Sequence, residues 1–181
     1  MLYDDGHLYG LFLVEDRYVR CAHTGFQAPV YEDSCVELFM QPKPDKGYFN
    51  FEFNCGGALL ASYVTDPTRI DGRVVEASPL SMEEAEQVTI YSSLPSIIEP
   101  EMVDEVTWSL GFSIPFALLE CYVGSLGKVA GQEWRGNLYK CGNSTSHPHW
   151  GSWARLSDRN FHAPRDFGAL QFAQQPEEVP R

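Results

Sequence analysis

Aromatic and polar residues alternate without a break through YFNFEFNCGG, residues 48–57, where Phe49, Phe51 and Phe53 oppose Asn50, Glu52 and Asn54. A period of two is the signature of a β-strand with unlike faces. The same period runs through SCVELFM, with Cys35, Glu37 and Phe39 on one face and Val36, Leu38 and Met40 on the other. In EWRGNLYKCG it sets Arg135, Asn137 and Tyr139 against Trp134, Gly136 and Leu138. VTWSLGFSIPF aligns Trp108, Leu110, Phe112 and Ile114, and Pro115 ends that run. Further strands are expected in HLYGLFLVEDRYVRC, GALLASYV, RVVEASPL, QVTIYSSL and FGALQF, one short helix in FALLECYVG, and a solvated turn or edge in MEEAEQ. Many short strands joined by Gly, Pro and Asp turns, with little helix, predict an all-β antiparallel sandwich or barrel. With no internal repeat and no linker, residues 1–173 read as one domain and 174–181 as a frayed tail.

The three polar-patterned strands change the picture. Side by side in one sheet they present Glu37, Asn50, Glu52, Asn54, Arg135, Asn137 and Tyr139 on a single surface. Carboxylates accept, guanidinium donates and carboxamides do both, which is the inventory that reads sugar hydroxyls. Arg135 set beside Glu37 or Glu52 would hold its fork rigid. The plainer reading is a covered ion-pair network that only orients strands. Downstream, SHPHWGSWARLSDRNFHAPRDFG is loop-like and carries Trp150 and Trp153. An aromatic plane beside polar groups grips the apolar face of a pyranose; alternatively either Trp plugs an open end of the sandwich. His147, His149 and His162 lack Cys or carboxylate partners at metal-site spacing and read as turn-capping loop residues.

Composition narrows the partners. The 181-residue chain carries a net charge of −12, which argues against nucleic acid and anionic membrane surfaces as main partners. No apolar run is long enough to span a membrane, and MLYDDGHLYG lacks the basic start and apolar run of a signal peptide. The abrupt strand-like start leaves localisation open. Five cysteines without CxxC spacing predict buried thiols, Cys35 and Cys55 foremost, rather than disulfides, a metal site or a redox pair. No cofactor is expected, and oligomeric state is not legible.

YEDSCVELFM, YFNFEFNCGGALLASY, RGNLYKCG, HWGSW and FHAPRDFGALQF together resemble the family 9-like carbohydrate-binding domains, relatives of xylanase-associated family 9 modules and of the DOMON group. The resemblance runs in order over nearly the whole chain. It implies an immunoglobulin-like, jelly-roll-like β-sandwich that binds a mono- or oligosaccharide without cleaving it, between two aromatics and over a polar floor. Carried over, the first clamp aromatic falls on Tyr31, where the family usually has Trp. Glu37 falls on a sugar-hydroxyl contact and Asn54 on a strand polar group. The second clamp aromatic lies in HWGSW, with Trp153 preferred over Trp150. Arg135 and Asn137 sit in a family-typical motif without a firm contact assignment. Such domains usually begin with another strand or two, so the first are expected to be missing here. Family members often hold structural calcium, but no Asp/Asn-rich loop stands out. Asp66 and Asp71 are scattered, and no metal is assigned. Three alternatives stand beside sugar binding: a β-sandwich interaction module with a decayed site, a glycoside-active enzyme using Glu37 and Glu52, and a haem domain, for which Met40 faces away from Glu37.

Overall fold

A computed structural model describes residues 1–70 and 73–174. Its first strands are β1 (Leu2–Tyr3), β2 (His7–Asp16), β3 (Val19–Cys21), β4 (Cys35–Gln41), β5 (Tyr48–Asn54), β6 (Leu59–Ile70) and β7 (Arg73–Pro79). They are followed by β8 (Thr89–Ser92), β9 (Ile98–Met102), β10 (Val106–Pro115), β11 (Glu133–Gly142), β12 (His149–Ser152) and β13 (Gly168–Gln171). Helices are few: α1 (Met82–Ala85), α2 (Phe116–Val123), and 3-10 turns at Val30–Glu32 and Pro164–Asp166. The chain is an all-β sandwich, as the alternating patterns predict.

One sheet runs β12-β11-β4-β5-β6-β7, and the other β1-β2-β10-β8, with β3 and β9 forming a separate pair. All the pairings are antiparallel. The apolar faces of the two sheets meet in one core: Val36, Leu38 and Met40 of β4 and Phe49, Phe51 and Phe53 of β5 pack toward Trp108, Leu110, Phe112 and Ile114 of β10. Each such side chain contributes about 1.5–3 kcal/mol when fully buried. Phe112 is the bridge between the layers. Its ring stacks on Phe53, centroids 5.4 Å apart and 6° from parallel. On its own sheet it lies over Gly10, its register partner, where a Cβ would come within 2.1 Å of the ring.

The face of the larger sheet away from this core builds the site. On β11, β12 pairs with Tyr139–Gly142 and β13 with Glu133–Gly136, so two short strands share one edge. The intervening segment, 153–167, crosses the outer face of the sheet. There Phe39, Tyr48, Tyr139 and Phe167 form a second cluster joined by Phe161 and Leu156.

Three local readings change. HWGSW is not loop: residues 149–152 are strand β12. MEEAEQ is not a turn: Met82–Ala85 is helical, started by a capping box in which Ser81 and Glu84 bond each other's backbone N–H. HLYGLFLVEDRYVRC is two strands rather than one run: β2 stays in the smaller sheet, while β3 pairs with β9, a short strand that carries Pro100 and gave no strand pattern. Asp71 and residues 175–181, the body of the expected frayed tail, lie outside the described residues.

Candidate functional site

Strand register decides which polar groups meet. Glu37 is the Cα partner of Glu52 on one side and of Tyr139 on the other. Cys35 is flanked in the same way by Asn54 and Cys141. Segment 153–167 covers the sheet over Phe39, Tyr48 and Tyr139, and Tyr139 stacks on Phe161 at 4.0 Å. Beside that cover the sheet stays open as a cleft of about 360 Å³. Its lining includes Tyr31, Glu37, Glu52, Arg69, Cys141 and Trp150, with Arg159 and His162 from the covering segment.

The floor is acidic and desolvated. Glu37 is 2% exposed and Glu52 5%. Glu37 accepts a hydrogen bond from Cys141 Sγ at 3.1 Å, and Glu52 accepts one from Asn50 Nδ2 at 2.8 Å. Neither carboxyl makes an ion pair among the described residues. Burial drives the Glu37 pKa well above the carboxylate range, and the charge of Glu52 pushes it further. Burial likewise raises Glu52 to about 7, against the lowering effects of Asn50 and Arg69. Asn50 Oδ1 is buried without a partner.

The walls are aromatic. Tyr31 is 39% exposed and Trp150 40%. Asn143 ties them together: its N–H donates to the Tyr31 carbonyl at 3.1 Å, and its side-chain oxygen accepts from Trp150 Nε1 at 2.7 Å. The Arg159 guanidinium lies 4.2 Å over the Trp150 ring. His162 bonds the Tyr48 hydroxyl through Nδ1 at 2.6 Å, and burial lowers its pKa to about 3, so it is neutral.

Of the residues expected at the site, Tyr31, Glu37 and Trp150 line the cleft, and Trp153, Asn54, Arg135 and Asn137 do not. The two tryptophans separate for a geometric reason: residues three apart on an extended chain point to opposite faces. Trp150 pairs with Cys141 and so shares the cleft face. The Trp153 ring lies against Gly168, where a Cβ would come within 2.8 Å of it. Asn54 is fully buried and structural: it donates to the His23 carbonyl at 2.6 Å and to Asp33 at 2.9 Å, and accepts from Ala58 N–H at 2.9 Å. Arg135 does not pair with Glu37 or Glu52 but donates to the carbonyls of Phe167 at 2.7 Å and Arg165 at 3.3 Å. Asn137 holds Ala154 through both ends of its carboxamide. Arg135 and Asn137 therefore anchor the covering segment to the sheet.

Sequence reasoning missed Arg69, Asn143, Arg159 and His162. Arg69 lies at the far end of the long strand β6 and Asn143 in a turn, with no pattern marking either. His147, by contrast, stacks on Tyr18 at 3.7 Å, away from the cleft. Asp66 accepts a hydrogen bond from the Thr68 N–H at 2.9 Å, within its own turn. No helix of the described residues is long and apolar enough to cross a membrane.

A family model for carbohydrate-binding family 9 matches residues 3–172. The crystal structure of a protein from Bacteroides uniformis proposed to bind carbohydrate superposes with a TM-score of 0.80 at 33% sequence identity. That likeness covers 93% of this chain and 74% of the other. No curated protein matches. With the family model spanning nearly the whole sandwich, the chain belongs to carbohydrate-binding family 9.

Proposed function

We propose that the cleft binds a mono- or oligosaccharide without cleaving it. The observation that carries this is the pairing of two part-exposed aromatics, Tyr31 and Trp150, with two buried carboxyl groups, Glu37 and Glu52, in one cleft. Aromatic rings take the apolar face of a sugar ring, and the carboxyl groups read its hydroxyls. A volume of about 360 Å³ suits a small ligand of one or two rings. A hydroxyl pattern that leaves either buried carboxyl unpaired is rejected, because an unmet buried polar group costs about 1–3 kcal/mol.

The match to a carbohydrate-binding family supports binding over hydrolysis. A retaining glycosidase needs one carboxyl protonated beside an ionised neighbour, so product analysis decides between the two readings. The test is a titration with neutral mono- and disaccharides followed by tryptophan fluorescence, with product analysis of the same mixtures. The expected result is saturable quenching, no product, and about tenfold or greater weakening in Glu37→Gln. Released sugar would turn the reading to catalysis. A folded protein that answers to no sugar would leave an interaction module.

A further inference from the structure

Four protonatable acids are buried together beneath the cleft: Cys35, Glu37, Cys141 and Glu52. Cys35 and Cys141 are direct cross-strand partners, and Glu37 follows on the same face of β4. One donor atom from each of Cys35, Glu37 and Cys141 lies within 4.8 Å of the other two. Each of these residues is at most 2% exposed. We propose that Cys35, Glu37 and Cys141 bind a thiophilic divalent cation of the zinc class at the floor of the cleft.

The geometry suits a small tetrahedral ion. Zinc holds sulfur at about 2.3 Å and carboxylate oxygen at about 2.0–2.2 Å, so its ligand atoms stand roughly 3.5 Å from one another. The three atoms need draw in by only about 1 Å, within the reach of side-chain torsions. Glu37 and Cys141 line the cleft, which gives the ion an entry path and an open fourth position. Glu52, the register partner of Glu37, stands beside that position.

The donor set chooses the metal. Two sulfurs and one carboxylate favour zinc over calcium or magnesium, which take oxygen ligands. Binding replaces protons: the two thiols and the Glu37 carboxyl release up to three as the ion enters, so affinity rises with pH. Arg69 and Arg159 line the same cleft, but among the described residues neither forms an ion pair with Glu37 or Glu52, so no salt bridge has to break for the ion to bind. The other buried pair, Cys21 and Cys55, has no grouped third ligand among the described residues and serves as an internal control.

The experiment is titration of the reduced, chelator-treated full chain with cobalt(II), reading the near-ultraviolet thiolate-to-cobalt charge-transfer band and the visible bands of tetrahedral cobalt. The expected result is one equivalent bound per chain, displaced by zinc(II), retained in Cys21→Ser and lost in Cys141→Ser. The near-isosteric Glu37→Gln, which keeps the side-chain volume, weakens binding at least tenfold and guards against misfolding of the cysteine variant. Absence of a charge-transfer band in the wild-type chain, or a band that survives in folded Cys141→Ser, overturns the proposal. Cobalt binding in a chain that answers to no sugar supports it independently of the sugar reading.

Discussion

Glu37 and Glu52 face each other across β4 and β5, both buried and neither ion-paired among the described residues. Stability rises with pH wherever the unfolded chain binds more protons than the folded one, and falls where it binds fewer. Glu52 moves from an ordinary 4.5 to about 7 on folding, so the folded chain holds the extra proton in that window. Its contribution is present at low pH and lost as pH climbs through about 7. His162 acts with the opposite sign: falling from 6.5 to about 3, it adds stability as pH rises across that range. The two oppose each other between about pH 4.5 and 6.5; His162 acts alone below that window and Glu52 above it, up to about pH 7.

Glu52→Gln therefore stabilises the protein at alkaline pH. Denaturant unfolding of variant and wild type at several pH values gives the difference directly. It should grow with pH toward about 3 kcal/mol above pH 8, the worth of the Glu52 displacement. A variant less stable than wild type at pH 8 would refute the desolvated floor.

Asn54→Ala is expected to cost about 2–3 kcal/mol, because it strips one donor from the fully buried Asp33 carboxylate and leaves the Ala58 N–H unmet. Folded Asn54→Ala should bind sugar within about threefold of wild type, since Asn54 does not line the cleft. Chemical denaturation and calorimetric titration of the same sample separate the two effects. Loss of binding with stability intact would make Asn54 a ligand contact.

Gly10→Ala places a methyl group where the Phe112 ring lies. Overpacking of this kind costs about 1–3 kcal/mol. Thermal unfolding should shift down by several degrees, with Phe112→Leu partly rescuing the double variant. An unchanged midpoint would mean that Phe112 moves off Phe53 without cost.

Much of this was legible in the sequence, for a physical reason. The strict alternation in 48–54 and 35–41 settled which side chains are core, because in a strand the face follows from parity alone. Parity also placed Glu37 and Glu52 on one face. It could not say which register brings them together, nor that 153–167 folds back over part of that face. Hence Asn54, Arg135 and Asn137, all on the polar face, turn out to hold backbone rather than line the cleft. HWGSW, read as loop, hid the parity that puts Trp150 over Cys141. The Cys35–Cys141 juxtaposition is purely a matter of register, invisible to any spacing rule.

The most direct measurement is calorimetric titration of the bound sugar into Tyr31→Ala, Trp150→Ala and Trp153→Ala. A stacked aromatic is worth about 0.5–1.5 kcal/mol, so each of the first two should weaken binding by about threefold to tenfold, and Trp153→Ala should leave it near wild type. Loss of binding in Trp153→Ala, with Trp150→Ala unaffected, would contradict the cleft as the sugar site.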